Sequence, residues 1–95
     1  MATVALGDLP FDAQQTIARI RKGGPYPYRK DGAVFGNYER LLPVRPRGHY
    51  HEFTVASPVK RNRGAQRIIV GGMLESPHEF YYTADHYATF IRIIE

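Results

Sequence analysis

Within residues 51–57, HEFTVAS, polar and apolar side chains alternate from Glu52 to Val55. Successive side chains of a β-strand leave opposite faces, so Phe53 and Val55 share one face and Glu52 and Thr54 share the other. The segment therefore predicts a half-buried strand that carries a carboxylate on its polar face.

The strands that follow are predicted to pair with it in order. Three later segments are rich in β-branched and aromatic residues: 67–70, 79–83 and 88–94. A basic turn over residues 58–64 precedes them, Gly71-Gly72 breaks or bulges the first, and Asp85-His86-Tyr87 forms the turn between the last two. Short connections of this kind favour antiparallel pairing.

A helix is predicted upstream, over residues 10–22. Pro10 suits its first turn, and Asp8 just before it is a candidate cap. Apolar residues recur at helical spacing at Ala13, Ile17 and Ile20. Gly23-Gly24 ends the helix, and a loop rich in Gly and Pro follows.

The fold class predicted from this order is α+β. A short strand over residues 2–6 precedes the helix, and another lies near Val34-Phe35. With 95 residues the chain fits a single domain, 1–95, in which one N-terminal helix packs on an antiparallel sheet.

The charge of the chain favours an anionic partner such as nucleic acid. Thirteen Lys and Arg oppose nine Asp and Glu, giving a net charge of +4 and a pI near 9.6. Between residues 40 and 67 Glu52 is the only acid, among the basic residues Arg40, Arg45, Arg47, Lys60, Arg61, Arg63 and Arg67. The absence of cysteine excludes disulfides and thiolate chemistry.

Several of these residues suit cleavage of RNA without a metal ion. That reaction needs a base to take the 2′-hydroxyl proton and an acid to protonate the leaving 5′-oxygen. Glu52 and His86 could supply them. If the strands pair in order, Arg63 and Arg67 lie across from Glu52, where guanidinium groups would hold the phosphate and keep the carboxylate ionised.

Plainer interpretations of the same residues stay open at this point. Glu52 could be a cross-strand ion-pair partner of Arg67. His86 could bond to the backbone of its own turn, and Arg63 could be an exposed turn charge. Spacing alone does not choose between these interpretations.

Motifs along nearly the whole chain, from about residue 8 to 93, resemble the guanyl-specific microbial ribonucleases. This is the family of barnase and the small Streptomyces ribonucleases, and the resemblance is closest to the Streptomyces type. The segments that carry it are YHEFTV (50–55), RGAQRII (63–69), YYTADHYATF (81–90), GPYPY (24–28), DGAVFGN (31–37) and Leu42-Pro43.

The resemblance implies a role for each of the catalytic residues. Glu52 matches the general base of the family and His86 its general acid. Arg63 and Arg67 match the arginines that hold the phosphate, and Tyr87 matches a tyrosine that adds a phosphate contact. The implied reaction passes through a 2′,3′-cyclic guanosine phosphate and needs no cofactor or metal.

The resemblance also implies a guanine site. Glu39 matches the carboxylate that accepts hydrogen bonds from the N1–H and exocyclic amino group of guanine, two donors that adenine does not offer together. Phe35 would stack on the base. Backbone amides around Gly36, Asn37 and Tyr38 would bond guanine O6, and Tyr38 could cover the other face of the base.

Two departures from the family pattern stand out. The small Streptomyces enzymes carry a disulfide that joins the chain ends, and this chain has no cysteine. A cross-link closing a loop of that length is worth up to about 3–5 kcal/mol. Gly36 stands where a larger polar residue is common, which we expect to loosen the guanine loop.

The resemblance extends to partners and setting. It implies a monomer that acts on RNA, with no membrane association, secreted from the cell or exported into a target cell. It also implies an acidic inhibitor resembling barstar. The protein could equally be the toxic domain of a larger bacterial export system with the same chemistry.

Two other classes of function remain as alternatives. In a metal-dependent nuclease, His49 and His51 would point the same way on a strand, and Glu52 and His86 would complete the site. A non-catalytic RNA- or protein-binding module could also use this fold, although a pure binder needs no paired acid and base.

Overall fold

The computed structural model of the chain describes residues 1–57 and 63–95. Within these ranges the elements in chain order are β1 (Thr3–Ala5), α1 (Phe11–Lys22), β2 (Ala33–Val34), β3 (Tyr50–Thr54), β4 (Arg67–Met73), β5 (Ser76–Thr83) and β6 (Ile91–Ile94). The strands of the described residues join in one sheet of order β1-β6-β5-β4-β3-β2. The predicted α+β class, with an N-terminal helix on a sheet, is confirmed.

The helix α1 is bounded much as the sequence predicts, but Asp8 does not cap it. Asp8 lies in a short 3₁₀ turn, and the capping position is Pro10, which has no side-chain cap bond. At the other end Gly23 adopts a left-handed φ of 85°. Its amide donates to the carbonyl of Ile20, and the amide of Gly24 donates to that of Arg19, which ends the helix.

The sheet buries a cluster on each face. On one face, Ala13, Ile17 and Ile20 of α1 pack against a core that includes Phe53, Val55, Ile68, Val70, Phe80 and Tyr82. Burial of each large apolar side chain contributes about 1.5–3 kcal/mol. On the other face, a smaller cluster contains Leu42, Tyr50, Ile69 and Tyr81. Glu52 pairs in register with Ile69, so its side chain lies on this second face.

The edge strand β1 differs from the predicted antiparallel sheet, because it pairs with β6 in parallel. Nearly the whole chain lies between these two strands, and parallel pairing requires such a long connection. The other neighbours pair antiparallel. The register shifts at Gly71/Gly72, which confirms the predicted bulge.

The pairing of β1 with β6 brings the two chain ends together without a disulfide. The amide of Arg92 donates to the carbonyl of Ala2, and Arg21 forms an ion pair with Glu95. Backbone pairing and an ion pair therefore connect the two ends of a chain that has no cysteine.

Two further features bear on the predictions. The basic turn predicted over residues 58–64 lies outside the described residues except for its last two positions. The helix α1 has 12 residues, and no helix in the described part of the chain is long and apolar enough to cross a membrane.

Candidate active site

Glu52 lies in the middle of β3, between Ile69 of β4 and Ala33 of β2. Its side chain is 15% exposed. The carboxylate Oε1 accepts a hydrogen bond of 3.0 Å from the hydroxyl of Tyr87 and lies 3.9 Å from Nη2 of Arg63. The carboxylate is thus bracketed by a hydroxyl donor and a guanidinium group.

Arg63 is anchored to the same strand as Glu52. Its Nε and Nη2 donate to the buried Oγ1 of Thr54 at 2.9 and 2.7 Å. The guanidinium carbon lies 6.0 Å from the ring centroid of Tyr28. Alternation along β3 puts Glu52 and Thr54 on one face, so the anchor holds the charge of Arg63 beside the carboxylate.

Arg67 is buried, with 2% of its surface exposed. It pairs in register with Thr54, and its Nη1 donates to the carbonyls of Gly64 and Gln66 at 2.9 and 2.8 Å. Its guanidinium carbon lies 5.8 Å from the ring centroid of Tyr87. Arg67 therefore packs beneath Tyr87, while Arg63 lies at the more open edge of the site.

The turn after β5 is built around Asp85. Its Oδ1 accepts from the hydroxyl of Thr83 at 2.8 Å and from the amide of Thr89 at 2.9 Å, and its Oδ2 accepts from the hydroxyl of Thr89 at 2.6 Å. These hydrogen bonds, chiefly those from Thr89, lower the pKa of Asp85 to about 2. The ionised carboxylate thus holds both ends of the turn.

This turn presents His86 and Tyr87, which adopt left-handed φ values of 55° and 74°. The amide of His86 donates to the carbonyl of Ala65, and the amide of Tyr87 donates to Oγ1 of Thr83. Non-glycine residues with a left-handed φ are uncommon and need contacts with their surroundings to hold them there. Here the support comes from the turn itself and from the loop before β4.

The Tyr87 hydroxyl is held in its protonated form. Burial of the phenol raises its pKa to about 12, with further contributions from the charge of Glu52 and the hydrogen bond to it. Tyr87 therefore remains a donor to Glu52 across the physiological pH range. The exposed ring of His86 lies 4.9 Å from the Tyr87 ring, so Tyr87 contacts both Glu52 and His86.

A pocket of about 270 Å³ adjoins these groups. His86 and Tyr87 line one part of it, and Phe35, Asn37, Tyr38 and Glu39 line another. We call it the base pocket. The sequence-predicted guanine residues and the sequence-predicted acid thus share one cavity, with the exception of Gly36, which lines a neighbouring one.

Asn37 shapes the loop that carries these residues. It has a φ of 54°, its amide nitrogen donates to the carbonyl of Leu42 at 3.0 Å, and its Oδ1 accepts from the Leu42 amide at 3.1 Å. Among the described residues, no group accepts from the backbone amides of Gly36, Asn37 or Tyr38. The side chain of Asn37 therefore holds the loop in shape, and the backbone amides of residues 36–38 are left to donate to a ligand.

Phe35 stacks on Tyr87, with ring centroids 5.2 Å apart and an angle of 23° between the planes. The ring of Phe90 contacts it edge-on at 5.9 Å. One face of Phe35 is therefore covered by the protein. A base that stacks on Phe35 in the base pocket would use the other face.

Gly36, which we expected to loosen the loop, lies against the ring of Tyr38, and the effect on the loop stays a prediction. A methyl group at Gly36 would lie 2.4 Å from a ring carbon of Tyr38. The ring thus occupies the space that a larger residue at position 36 would fill. Tyr38 is 80% exposed, and its hydroxyl accepts a hydrogen bond of 3.2 Å from Nη1 of Arg47.

Comparison with known proteins identifies this arrangement. A sequence model of the ribonuclease family matches residues 1–94. The chain belongs to the ribonuclease family. It is 51% identical over 88 residues to guanyl-specific ribonuclease Sa of Kitasatospora aureofaciens, covering 93% of this chain and 88% of the relative. It is 49% identical over 87 residues to guanyl-specific ribonuclease St of Saccharopolyspora erythraea, covering 92% and 82%.

Solved structures of the ribonuclease family share the fold. Ribonuclease Sa2 with guanosine-2′-cyclophosphate superposes with a TM-score of 0.89 at 48% identity, covering 99% of this chain and 96% of that one. Ribonuclease Sa2 in complexes with mononucleotides gives a TM-score of 0.92 at 47% identity, covering 100% and 95%. The resemblance to the guanyl-specific microbial ribonucleases is thereby confirmed.

The structure does not bring His49, His51 and Glu52 together as the metal-dependent alternative would require. His49 precedes β3, and its Nε2 lies 2.5 Å from Oε2 of Glu79. His51 and Glu52 are adjacent on β3, so their side chains leave opposite faces. Residues 1–57 and 63–95 contain no group of three or more His, Asp or Glu side chains placed to hold a metal ion.

The residues that support this site were not predicted from the sequence. Thr54 anchors Arg63, and Thr83, Asp85 and Thr89 form the turn that presents His86. A clue was present, because Asp and Thr within a turn commonly bond to nearby backbone. No local pattern predicts the hydrogen bond between Tyr87 and Glu52, since 35 positions separate the two residues.

Proposed function

We propose that this chain is an endoribonuclease that cleaves single-stranded RNA after guanosine by metal-independent acid–base catalysis. Membership of the ribonuclease family and about 50% identity to guanyl-specific ribonucleases support the proposal. The observation that carries it is that Arg63 and Tyr87 both lie beside the carboxylate oxygen Oε1 of Glu52. Tyr87 also lines the base pocket, together with His86.

In the first step Glu52 acts as the general base. It takes the proton of the 2′-hydroxyl as that oxygen attacks phosphorus, and His86 in its protonated form donates a proton to the leaving 5′-oxygen. The P–O5′ bond breaks and a 2′,3′-cyclic guanosine phosphate forms. The fixed charges of Arg63 and Arg67 stabilise the negative charge that develops on the phosphoryl oxygens.

In the second step the two roles reverse. His86, now neutral, takes a proton from water as the water attacks phosphorus, and Glu52 returns its proton to the 2′-oxygen. The cyclic phosphate opens to a 3′-phosphate. DNA is not a substrate because it lacks the 2′-hydroxyl nucleophile.

Guanine recognition is assigned to the base pocket. The Glu39 carboxylate accepts from N1–H and the exocyclic amino group of guanine, and the amides of residues 36–38 donate to O6. Phe35 and Tyr38 contact the faces of the base. Adenine would leave the carboxylate without its pair of donors, which is the basis of the preference.

The test is digestion of an oligoribonucleotide that contains one guanosine, in excess EDTA, with both new ends identified. We expect one cut on the 3′ side of guanosine, a transient cyclic phosphate, and no cleavage of the DNA counterpart. Loss of activity in EDTA would favour a metal-dependent nuclease instead. Binding without any product would favour the non-catalytic module.

We also propose that the protein acts as a monomer outside the producing cell, as a secreted enzyme or as the exported toxic domain of a longer protein. The net charge of +4 would favour an acidic inhibitor resembling barstar, since opposite charges speed association. Sedimentation of the purified chain and assay of the culture medium test the first part. Co-purification with an acidic protein from the producing organism tests the second.

A further inference from the structure

Three arginines of the basic segment take no part in the chemistry proposed above. Arg40, Arg45 and Arg47 line a second pocket, of about 240 Å³, next to the base pocket. We call it the arginine pocket. Tyr38 and Tyr50 also line it, together with Phe35, Gly36 and Asn37. Positive charge and aromatic surface thus converge at one place.

The chemistry of the arginine pocket suits a nucleotide. None of the described residues that line it is acidic. Guanidinium groups bind phosphate through paired hydrogen bonds, and aromatic rings stack on bases whatever their sequence. A pocket that combines both matches a phosphate and its neighbouring base better than it matches a free small anion.

The arginines are only lightly engaged by the protein. Arg45 is 43% exposed in its side chain, and its Nη2 lies 3.9 Å from Oε1 of Glu79. Arg47 donates one described side-chain hydrogen bond, from Nη1 to the hydroxyl of Tyr38. A guanidinium group has five N–H donors, so most of those on each residue remain available to a ligand.

The arginine pocket and the base pocket adjoin each other. Phe35, Asn37 and Tyr38 line both. The Tyr38 ring packs on Gly36 and is held by Arg47, so it stands between the two cavities. A nucleic acid strand that fills the base pocket would therefore reach the arginines by passing this ring.

The position of His86 sets the direction of the strand. His86 and Tyr87 line the base pocket and not the arginine pocket. The nucleotide on the 3′ side leaves from the atom that His86 protonates, so it lies at the His86 end. The strand on the other side of the guanosine is its 5′ side.

We propose that the arginine pocket binds the nucleotide on the 5′ side of the target guanosine, through its phosphate and base. The inference rests on the proposed function. It makes the chain prefer guanosines within a strand to guanosines at a 5′ end, and it gives the basic loop before β3 a role in substrate binding.

The experiment compares kcat/KM for four substrates: GpC, pGpC, UpGpC and GpCpU. We expect UpGpC to exceed GpC by at least about fivefold, the effect of one stacked base or one exposed ion pair. The 5′-phosphorylated pGpC should lie between them. A gain with GpCpU and none with UpGpC would overturn the assignment to the 5′ side.

The double variant Arg45→Gln/Arg47→Gln tests the residues themselves. We expect it to lower kcat/KM for UpGpC by about five- to tenfold, to leave GpC within about twofold, and to weaken the salt dependence of UpGpC cleavage. The matched control is Arg19→Gln/Lys22→Gln, which removes the same charge from α1. An equal loss on UpGpC and GpC would overturn the proposal, because it would indicate an effect through Tyr38 alone.

Failure of this inference can be told apart from failure of the proposed function. If GpC is cleaved and extension at the 5′ side changes nothing, the arginine pocket is not a subsite, although the enzyme is a ribonuclease. If no substrate that contains guanosine is cleaved, the proposed function itself fails and the arginine pocket fails with it.

Discussion

The hydroxyl of Tyr87 donates a 3.0 Å hydrogen bond to the carboxylate of Glu52 and joins two residues that are 35 positions apart. The bond links β3 to the turn after β5, and so ties the proposed base to the turn that presents His86. Because the pKa of Tyr87 is raised to about 12, this donor keeps its proton throughout the working range of the enzyme.

Removal of this donor gives the first prediction. Tyr87→Phe should lower kcat/KM for GpC about tenfold, since hydrogen bonds to charged groups contribute about 1.5–3 kcal/mol. Tyr82→Phe is the matched control, because that hydroxyl bonds to Gln66 on the other face of the sheet. An unchanged kcat/KM for GpC in Tyr87→Phe would contradict the role of Tyr87.

The second prediction concerns the acid–base pair. Glu52→Gln and His86→Asn should each lower kcat/KM at least about 100-fold. Asn is chosen because His86 has a left-handed φ of 55°, which Asn tolerates well. Wild-type activity should follow a bell-shaped pH profile, with Glu52→Gln losing the acidic limb and His86→Asn the basic one. The exposed residues Glu75 and His78 give matched controls, and near-full activity of either active-site variant would refute the assignment.

The third prediction concerns base selection. Glu39→Gln should lower kcat/KM for GpC about 10- to 100-fold and leave ApC little changed, because the carboxylate that accepts from guanine is lost. Inosine lacks the exocyclic amino group, so the wild type should prefer GpC to IpC and the variant should not. A retained preference for GpC over IpC would show that another group reads the amino group.

The fourth prediction separates the two arginines. Arg67→Ala should lower the free energy of unfolding by about 1–3 kcal/mol, because it leaves the buried carbonyls of Gly64 and Gln66 without their donor. Arg63→Ala should cost much less stability, since its side chain is 33% exposed. Both should lose activity. Urea unfolding of the three proteins measures the difference, and similar midpoints for both variants would contradict it.

The fifth prediction is a pH dependence of stability. Burial opposes ionisation of Glu79, but hydrogen bonds from His49 and Tyr81 outweigh it, so the pKa of Glu79 falls below its ordinary value of 4.5. A group with a lowered pKa stabilises the fold fully above its unfolded pKa, and this contribution is lost as the pH falls through the folded pKa. The stability advantage of the wild type over Glu79→Gln should therefore shrink below about pH 4.5. Glu75→Gln, an exposed control, should show no such trend.

The local features of the fold could be predicted from the sequence. Alternation along residues 51–57 put Glu52 and Phe53 on opposite faces, and Gly23-Gly24 ended the helix where it was expected to end. Such features depend on neighbouring residues and on fixed backbone periods, so they can be read without knowing the fold. The family motifs indicated which polar residues are functional, and the structure places Arg63 and Tyr87 beside Glu52.

Other features could not be predicted because they depend on distant contacts. The parallel pairing of β1 with β6 joins the two ends of the chain, and no local pattern specifies it. The hydrogen bonds of the turn around Asp85 are local, but the position of His86 relative to Glu52 depends on where the end of β5 lies in the sheet.

By itself, the sequence determined the α+β class, the face of β3 that carries Glu52 and the family to which the chain belongs, because backbone periodicity and motif order are properties of the chain alone. Only the tertiary structure decided which groups touch the carboxylate of Glu52, how Tyr87 is held, and that three unused arginines share a pocket. Those relationships arise when strands far apart in sequence are brought side by side, where hydrogen bonds and charges act over a few ångströms.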